Sequence, residues 1–291
     1  HGGPVTGQVV AWRGADDRWS VRVRRRPLLV GIALLLVGLA LGLASLSWGS
    51  AVGVRDTLAA LAGAGSPVAD LVVFQIRMPR VLVALLVGGF LGMAGAQFQT
   101  LTRNPLGSPD LIGFVQGAAT GAVLVILVIG ERAVAVSTGA IGFGLATAAV
   151  MYLLAWRRGM QGVRLVLIGV AVSALLRSVT DYLLIRADID QSQAAHIWMV
   201  GSLASVTWDQ VSLLAWAGAA LVPAACLLIR PLDQLSLGDD AAMGLGVPVE
   251  RVRLAVVATA VGLAGVAVAA VGPIAFVALA APQLARRLTA G

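Results

Sequence analysis

Eight stretches dominated by apolar residues, spaced along a chain of 291 residues, decide what this sequence can fold into. They lie at 28–48, 81–101, 111–129, 134–156, 165–185, 211–229, 254–271 and, shortest, 274–288. A helix needs about 20 such residues to cross roughly 30 Å of hydrocarbon, and in lipid each backbone N–H and C=O must be satisfied within the segment. Helices meet that demand and open sheets do not. The expected fold is all-α, a polytopic membrane helix bundle with eight spans in this chain. Composition agrees, because 59% of the residues are hydrophobic, 12% are charged and the mean hydropathy is +0.92. One water-facing core cannot hide that much apolar surface. The 28–48 stretch follows an arginine-rich start, as a signal peptide would. It is too long for an ordinary signal h-region, so a retained first span is expected.

All 21 basic residues are arginine, and against 14 acidic residues they leave a formal charge of +7. They sit between apolar blocks rather than in a stripe with aromatic residues, which favours membrane topology over nucleic-acid binding. With the N-terminus in the cytoplasm, fifteen arginines fall on the inner side. Only Arg55, Arg77, Arg80, Arg132 and Arg186 fall outside, and Arg177 lies within a span. The positive-inside bias therefore predicts a multi-pass inner-membrane protein with a cytoplasmic, arginine-rich segment at 1–27 and one membrane domain at 28–291. The single cysteine, Cys226, excludes a disulfide within the chain and reads as a packing residue. Glycines four apart, Gly38 and Gly42, Gly88 and Gly92, Gly117 and Gly121, let helix backbones approach closely, either inside one bundle or as a dimer seam.

No catalytic constellation is present: neither Gly-x-Ser-x-Gly, nor His-Glu-x-x-His, nor a phosphate-cradling Gly-x-x-x-x-Gly-Lys loop occurs. Of the two histidines, His1 is terminal and His196 falls in a polar segment, where a solvated side chain is the ordinary reading. An integral-membrane enzyme needs clustered polar groups that this chain lacks. A secondary transporter driven by an ion gradient needs several intramembrane carboxylates, and only Asp181 qualifies. The chain is expected to have no enzymatic activity, cofactor or metal of its own.

The loops are more specific than the spans. Phe74-Gln75-Ile76-Arg77-Met78-Pro79-Arg80 is followed, after a glycine-rich span, by Gln99 and by Arg103-Asn104-Pro105-Leu106-Gly107-Ser108-Pro109. Farther on come Trp198-Met199-Val200-Gly201-Ser202, Leu237-Gly238 through Leu245-Gly246-Val247, and Gly272-Pro273-Ile274-Ala275-Phe276-Val277 with Ala281-Pro282. In this order the five elements resemble the FecCD-type permease subunits of ATP-binding-cassette importers for iron-siderophore, haem and cobalamin substrates. The resemblance implies a second permease subunit, identical or homologous, two ATPase subunits that bind ATP and Mg, and an extracytoplasmic substrate-binding protein. A ferric siderophore is the favoured cargo, with cobalamin or haem as alternatives. Gln283 stands where the family usually has histidine, and the family usually has ten spans, so two further helices are expected after Gly291.

Several residues then acquire candidate roles. Arg77 and Arg80 flank Pro79 on the outer side, where positive charge is disfavoured. They dock the binding protein if the resemblance holds, or snorkel to lipid headgroups. Between 231 and 253, Leu237, Ala241, Ala242 and Leu245 fall on helical spacing, punctuated by Gly238, Gly244 and Gly246. That pattern predicts a short helix and turn, which in the resembled family couples to the ATPase. The turn framed by Asn104-Pro105 and Ser108-Pro109 has an equally good structural reading. By resemblance, Gln161 and Gly162 narrow the inner end of the pathway. Arg177 and Asp181 are four apart and can pair on one face of the fifth span, or Arg177 can meet anionic substrate.

Overall fold

The computed structural model describes residues 9–13, 20–47, 52–108, 113–130, 133–155 and 162–289. The described chain falls into two compact units, one running to Val73 and including 283–289, the other Phe74–Pro282.

In the first unit, strands β1 (Val9–Arg13) and β2 (Ser20–Arg24) pair antiparallel, with Val10 opposite Val23 and Trp12 opposite Val21. This hairpin occupies part of the segment expected to precede the first span, and it leads directly into α1 (Arg25–Ser47). α1 buries only Leu46, while Leu29, Leu35 and Leu41 are exposed. An apolar helix with a bare apolar surface suits hydrocarbon and not water. The short helices α2 (Val54–Leu61) and α3 (Pro67–Asp70) follow, and the Ser66 hydroxyl caps the latter by accepting from Ala69 N–H at 3.2 Å. Thr57 Oγ1 donates to Gly53 O at 2.9 Å and to Leu46 O at 3.3 Å, fastening α2 to the end of α1.

The Phe74–Arg80 run, expected as a loop edge, is helical. A π-helical stretch (Leu71–Arg77) passes straight into α4 (Met78–Thr102), with Pro79 in the first turn of α4. Proline has no N–H to donate and crowds the carbonyl four residues earlier; a widened π turn relieves both problems.

The second unit continues with α5 (Phe114–Val128), α6 (Ala133–Ala155), α7 (Gly162–Arg186), α8 (Ile189–Val200) and α9 (Trp208–Leu227). It closes with α10 (Ile229–Ser236), α11 (Asp239–Gly244), α12 (Val249–Val271) and α13 (Val277–Thr289), the last reaching beyond Pro282. Two apolar clusters share α12. One joins it to α4 and α9 through Phe90, Leu91, Leu214 and Leu263; the other joins it to α5 and α6 through Phe114, Val123, Ala140 and Val261. Gly117 and Gly121 lie so close to α6 that a Cβ would meet Thr147 and Phe143, which makes that glycine pair an intrabundle contact. Gly88, by contrast, has open space beside it.

Six helical segments among the described residues are long and apolar enough to cross a membrane: those at 25–47, 67–102, 134–154, 167–186, 208–227 and 249–271. α5 is shorter, at 15 residues, than its 111–129 window. Gly113, at φ 67°, starts it late, and its largely buried surface faces protein rather than lipid. α13 holds 13 residues, because the Gly272-Pro273 break and Phe276 at φ 67° delay its start.

Candidate functional site

α4 and α12 run between two polar ends of the second unit, and most of the candidate residues sit at one end or the other. At the first end, α8 stops at Gly201, whose φ of 76° and ψ of 132° leave the helical region. Ser202 N–H then donates to Val271 O at 2.8 Å. Gly272, at φ 80° and ψ 177°, meets the same turn, and a Cβ on it would run into Trp198 O. A Cβ on Gly201 would likewise strike Pro273 O. The Trp198-Gly201 and Gly272-Pro273 elements are thus two halves of one contact. Only glycine tolerates both the torsions and the spacing.

Arg80 belongs to this end. Its Nε donates to Leu203 O at 3.0 Å and its Nη2 to Ala204 O at 2.8 Å, so the half-buried side chain pins the loop that follows Gly201. Those bonds fix where the guanidinium sits and leave its charge intact. Arg77 closes the π-helical stretch and is also half-buried. Trp208 Nε1 donates to Phe74 O at 3.1 Å, binding the start of α9 to that stretch. A cavity of about 520 Å³ opens nearby, and Ser137, Asp190, Gln193, Trp198, Ser205 and Gln210 are among its lining.

At the opposite end, α4 terminates on Arg103, a non-glycine residue at φ 49°. Asn104 Oδ1 accepts from Leu106 N–H at 2.9 Å and Asn104 O accepts from Gly107 N–H at 2.9 Å, folding the Asn104-Pro105 turn on itself. Pro109 lies outside the described residues. The turn aims Arg103 at the neighbouring corner, where its Nη2 donates to Leu235 O at 2.6 Å and to Asp239 Oδ1 at 3.3 Å. Asp239 also receives Arg253 Nη2 at 2.7 and 2.8 Å from its two oxygens, and Arg253 Nη1 reaches Glu250 Oε1 at 3.2 Å.

The 237–247 segment forms the expected short helix and turn, with Gly238 at φ 120° and Gly246 at φ 81° marking its ends. Ala242 and Val247 are buried in an apolar cluster with Leu232, Leu235, Val252 and Val256. Leu237, Ala241 and Leu245 point the other way and are exposed, and Met243 joins them. The helical spacing thus carries two faces, one packed on the bundle and one bare.

Arg177 and Asp181 do not pair. Both are exposed on α7, and among the described residues no ion pair joins them. An arginine N-terminal to its acidic partner at this spacing is the weaker orientation, and the buried Thr180 between them instead meets Thr120 on α5 at 2.9 Å. Gln161 lies outside the described residues; Gly162 begins α7. Pro282 is buried inside α13. His196 is exposed, and among the described residues no group of three or more His, Cys, Asp or Glu side chains could hold a metal.

Residues 30–291 match the FecCD transport family. The chain belongs to that family. It is therefore a multi-pass membrane permease of the ATP-binding-cassette importer type, a transport subunit and not an enzyme. One relative, the ferric enterobactin transport system permease protein FepG of Escherichia coli (strain K12), is 40% identical over 270 residues, covering 92% of this chain and 82% of the relative. Another, the Fe(3+)-citrate import system permease protein YfmE of Bacillus subtilis (strain 168), is 37% identical over 271 residues, covering 93% and 81%. Among solved structures, an inward-facing metal-chelate-type ABC transporter superposes with a TM-score of 0.79 at 29% identity, over 89% of this chain and 81% of that one.

Sequence reasoning missed the ionic corner of this permease. Asp239, Arg253 and Glu250 stood in the sequence only as charges in a loop or as topology markers. The sole local signal was the acidic pair Asp239 and Asp240 directly after Gly238, placed where the first turn of a helix favours negative charge.

Proposed function

We infer that this chain forms half of a two-subunit pore that carries a ferric siderophore, or a related iron chelate, into the cytoplasm by alternating access. The N-terminus lies inside, which places the 237–247 end in the cytoplasm and the 201–207 end outside. Two ATPase subunits, which bind ATP and Mg, seat on the cytoplasmic end, and a substrate-binding protein docks outside. The observation that carries this reading is the two-faced 237–247 segment. Its Ala242 and Val247 side is buried in the bundle while Leu237, Met243 and Leu245 stay bare at the end of a membrane domain. An apolar face of that kind, rigidly mounted and outside hydrocarbon, fits a groove on a partner protein.

On the outer side, Arg77 and Arg80 present positive charge to acidic groups of the binding protein, with Arg80 held in place by the Leu203 and Ala204 carbonyls. Arg177, exposed with Asp181 on α7, meets the anionic chelate on the pathway between the two permease subunits, and Gln161 with Gly162 narrows its inner end. Iron chelates named for the relatives support siderophore over cobalamin or haem as cargo, and an exposed intramembrane arginine suits an anionic ligand.

The test is co-purification followed by binding. A cognate ATPase subunit retained with the permease in detergent, and lost when Leu237 and Leu245 are both changed to Asp, supports the assembly. Retention by the double variant contradicts it. Binding assays of the cognate substrate-binding protein against ferric siderophores, haem and cobalamin decide the cargo. Uptake lost in Arg177→Gln with normal assembly supports the pathway role of Arg177, whereas loss of assembly assigns it to the bundle.

A further inference from the structure

α12 begins on one polar end of the second unit and finishes on the other. Its 23 residues span roughly 34 Å at 1.5 Å per residue. It is also the most buried of the six candidate spans, with 72% of its central window enclosed. Packed by α4, α9, α5 and α6, it behaves as a close-packed strut that passes displacement along rather than absorbing it. Its far end is fixed by the Ser202–Val271 hydrogen bond and the Gly201–Gly272 contact.

Its near end is fixed differently. Arg253, with a side chain only 15% exposed, holds both oxygens of Asp239, the first residue of α11. Arg103, at the end of α4, adds a second arm to the same carboxylate. The apolar cluster around Ala242 and Val247 already keeps the segment against the bundle. The ionic contacts add a second attachment, which joins the first residue of α11 to α12 and to the end of α4. The Arg103–Asp239 pair is roughly half exposed, and such pairs contribute about 0–1 kcal/mol to stability. Folding does not depend on it.

We propose that Asp239 is a positioning residue of the transport cycle. Through Arg253 it latches the ATPase-facing segment to α12, so that a loaded binding protein docked at the opposite end of α12 is read out as faster ATP hydrolysis. The proposal rests on the reading of 237–247 as the ATPase contact. It assigns the transmission to one carboxylate that bridges two helices.

The experiment uses the assembled transporter in nanodiscs and measures ATP hydrolysis with and without substrate-loaded binding protein. Wild type, Asp239→Asn, Arg253→Gln and the conservative Asp239→Glu are compared. Coupling between sites is commonly about fivefold or more, so stimulation by the binding protein is expected to fall by about that factor in Asp239→Asn and in Arg253→Gln, while basal hydrolysis changes by less than about twofold. Asp239→Glu, which keeps a carboxylate for Arg253 and Arg103, is expected to retain most of the stimulation. Full stimulation in an assembled Asp239→Asn transporter overturns the proposal, as does an assembled Asp239→Glu no better than Asp239→Asn. If neither Asp239→Asn nor Asp239→Glu assembles, Asp239 serves folding and the proposal fails. Absence of ATPase binding or of stimulation in the wild type sinks instead the reading of the segment on which the proposal stands.

Discussion

At the 201–207 end of the permease, α12 is joined to its neighbour by backbone: glycine against carbonyl, and amide against carbonyl, with no room for a single added carbon. At the 237–247 end the same helix is joined by side chains, with Arg253 and Arg103 converging on Asp239 across partly solvated space. Backbone contacts of the first kind are fixed in geometry and intolerant of change. Charge contacts of the second kind are long-armed and can be remade in more than one arrangement. A transporter that cycles between states gains from having one end of a strut fixed and the other end adjustable. The same helix is thus rigid or adjustable depending on what its termini touch.

The largest effect separating the two ends is expected at Gly272. Gly272→Val forces a β-branched residue into torsions suited only to glycine and drives a Cβ into Trp198 O, costing about 3 kcal/mol or more. The thermal unfolding midpoint in detergent reads this directly. A midpoint equal to wild type breaks the claim that the first end is held by close approach. Next comes Arg80→Gln, which removes two charge-assisted hydrogen bonds to the Leu203 and Ala204 carbonyls and is expected to cost about 1–3 kcal/mol. The same variant should weaken binding-protein association at low salt more than at high salt.

Much of the architecture was legible because hydropathy in lipid is a strong signal. The windows at 28–48, 134–156, 165–185 and 211–229 correspond to α1, α6, α7 and α9 with modest shifts at their ends. The 111–129 window overestimates α5, since apolar composition does not show that Gly113 leaves the helical region. The Phe74–Arg80 run was read as a loop edge because it precedes the 81–101 apolar window, and a π-helical stretch instead carries the chain through it into α4. In the 231–253 segment, helical spacing and glycine punctuation pointed to one short helix and turn, which is α11 and its flanks, while α10 before it was not anticipated. The Arg177–Asp181 pair, inferred from spacing alone, does not form, since spacing gives proximity along a helix and says nothing of rotamer or competing solvent. Asp239–Arg253 was invisible for the opposite reason: the two residues lie on different helices, and no periodicity links them.

The smallest effect sharpens the contrast from the adjustable side. Arg103→Gln removes an exposed pair and one hydrogen bond to the Leu235 carbonyl and is expected to cost about 1 kcal/mol, of which the ionic part shrinks further as salt is raised. A destabilisation as large as that of Gly272→Val would mean that both ends are rigid, and the contrast would disappear.

The most direct test of the ATPase-facing assignment is a cross-link. With the lone Cys226 changed to Ser, Leu245→Cys places one thiol on the exposed face of the 237–247 segment. In membranes containing the whole transporter, a short thiol-to-amine cross-linker is predicted to join this permease to its ATPase subunit, and Val200→Cys at the other end is predicted not to. A cross-link to the ATPase from Val200→Cys and none from Leu245→Cys would contradict the assignment.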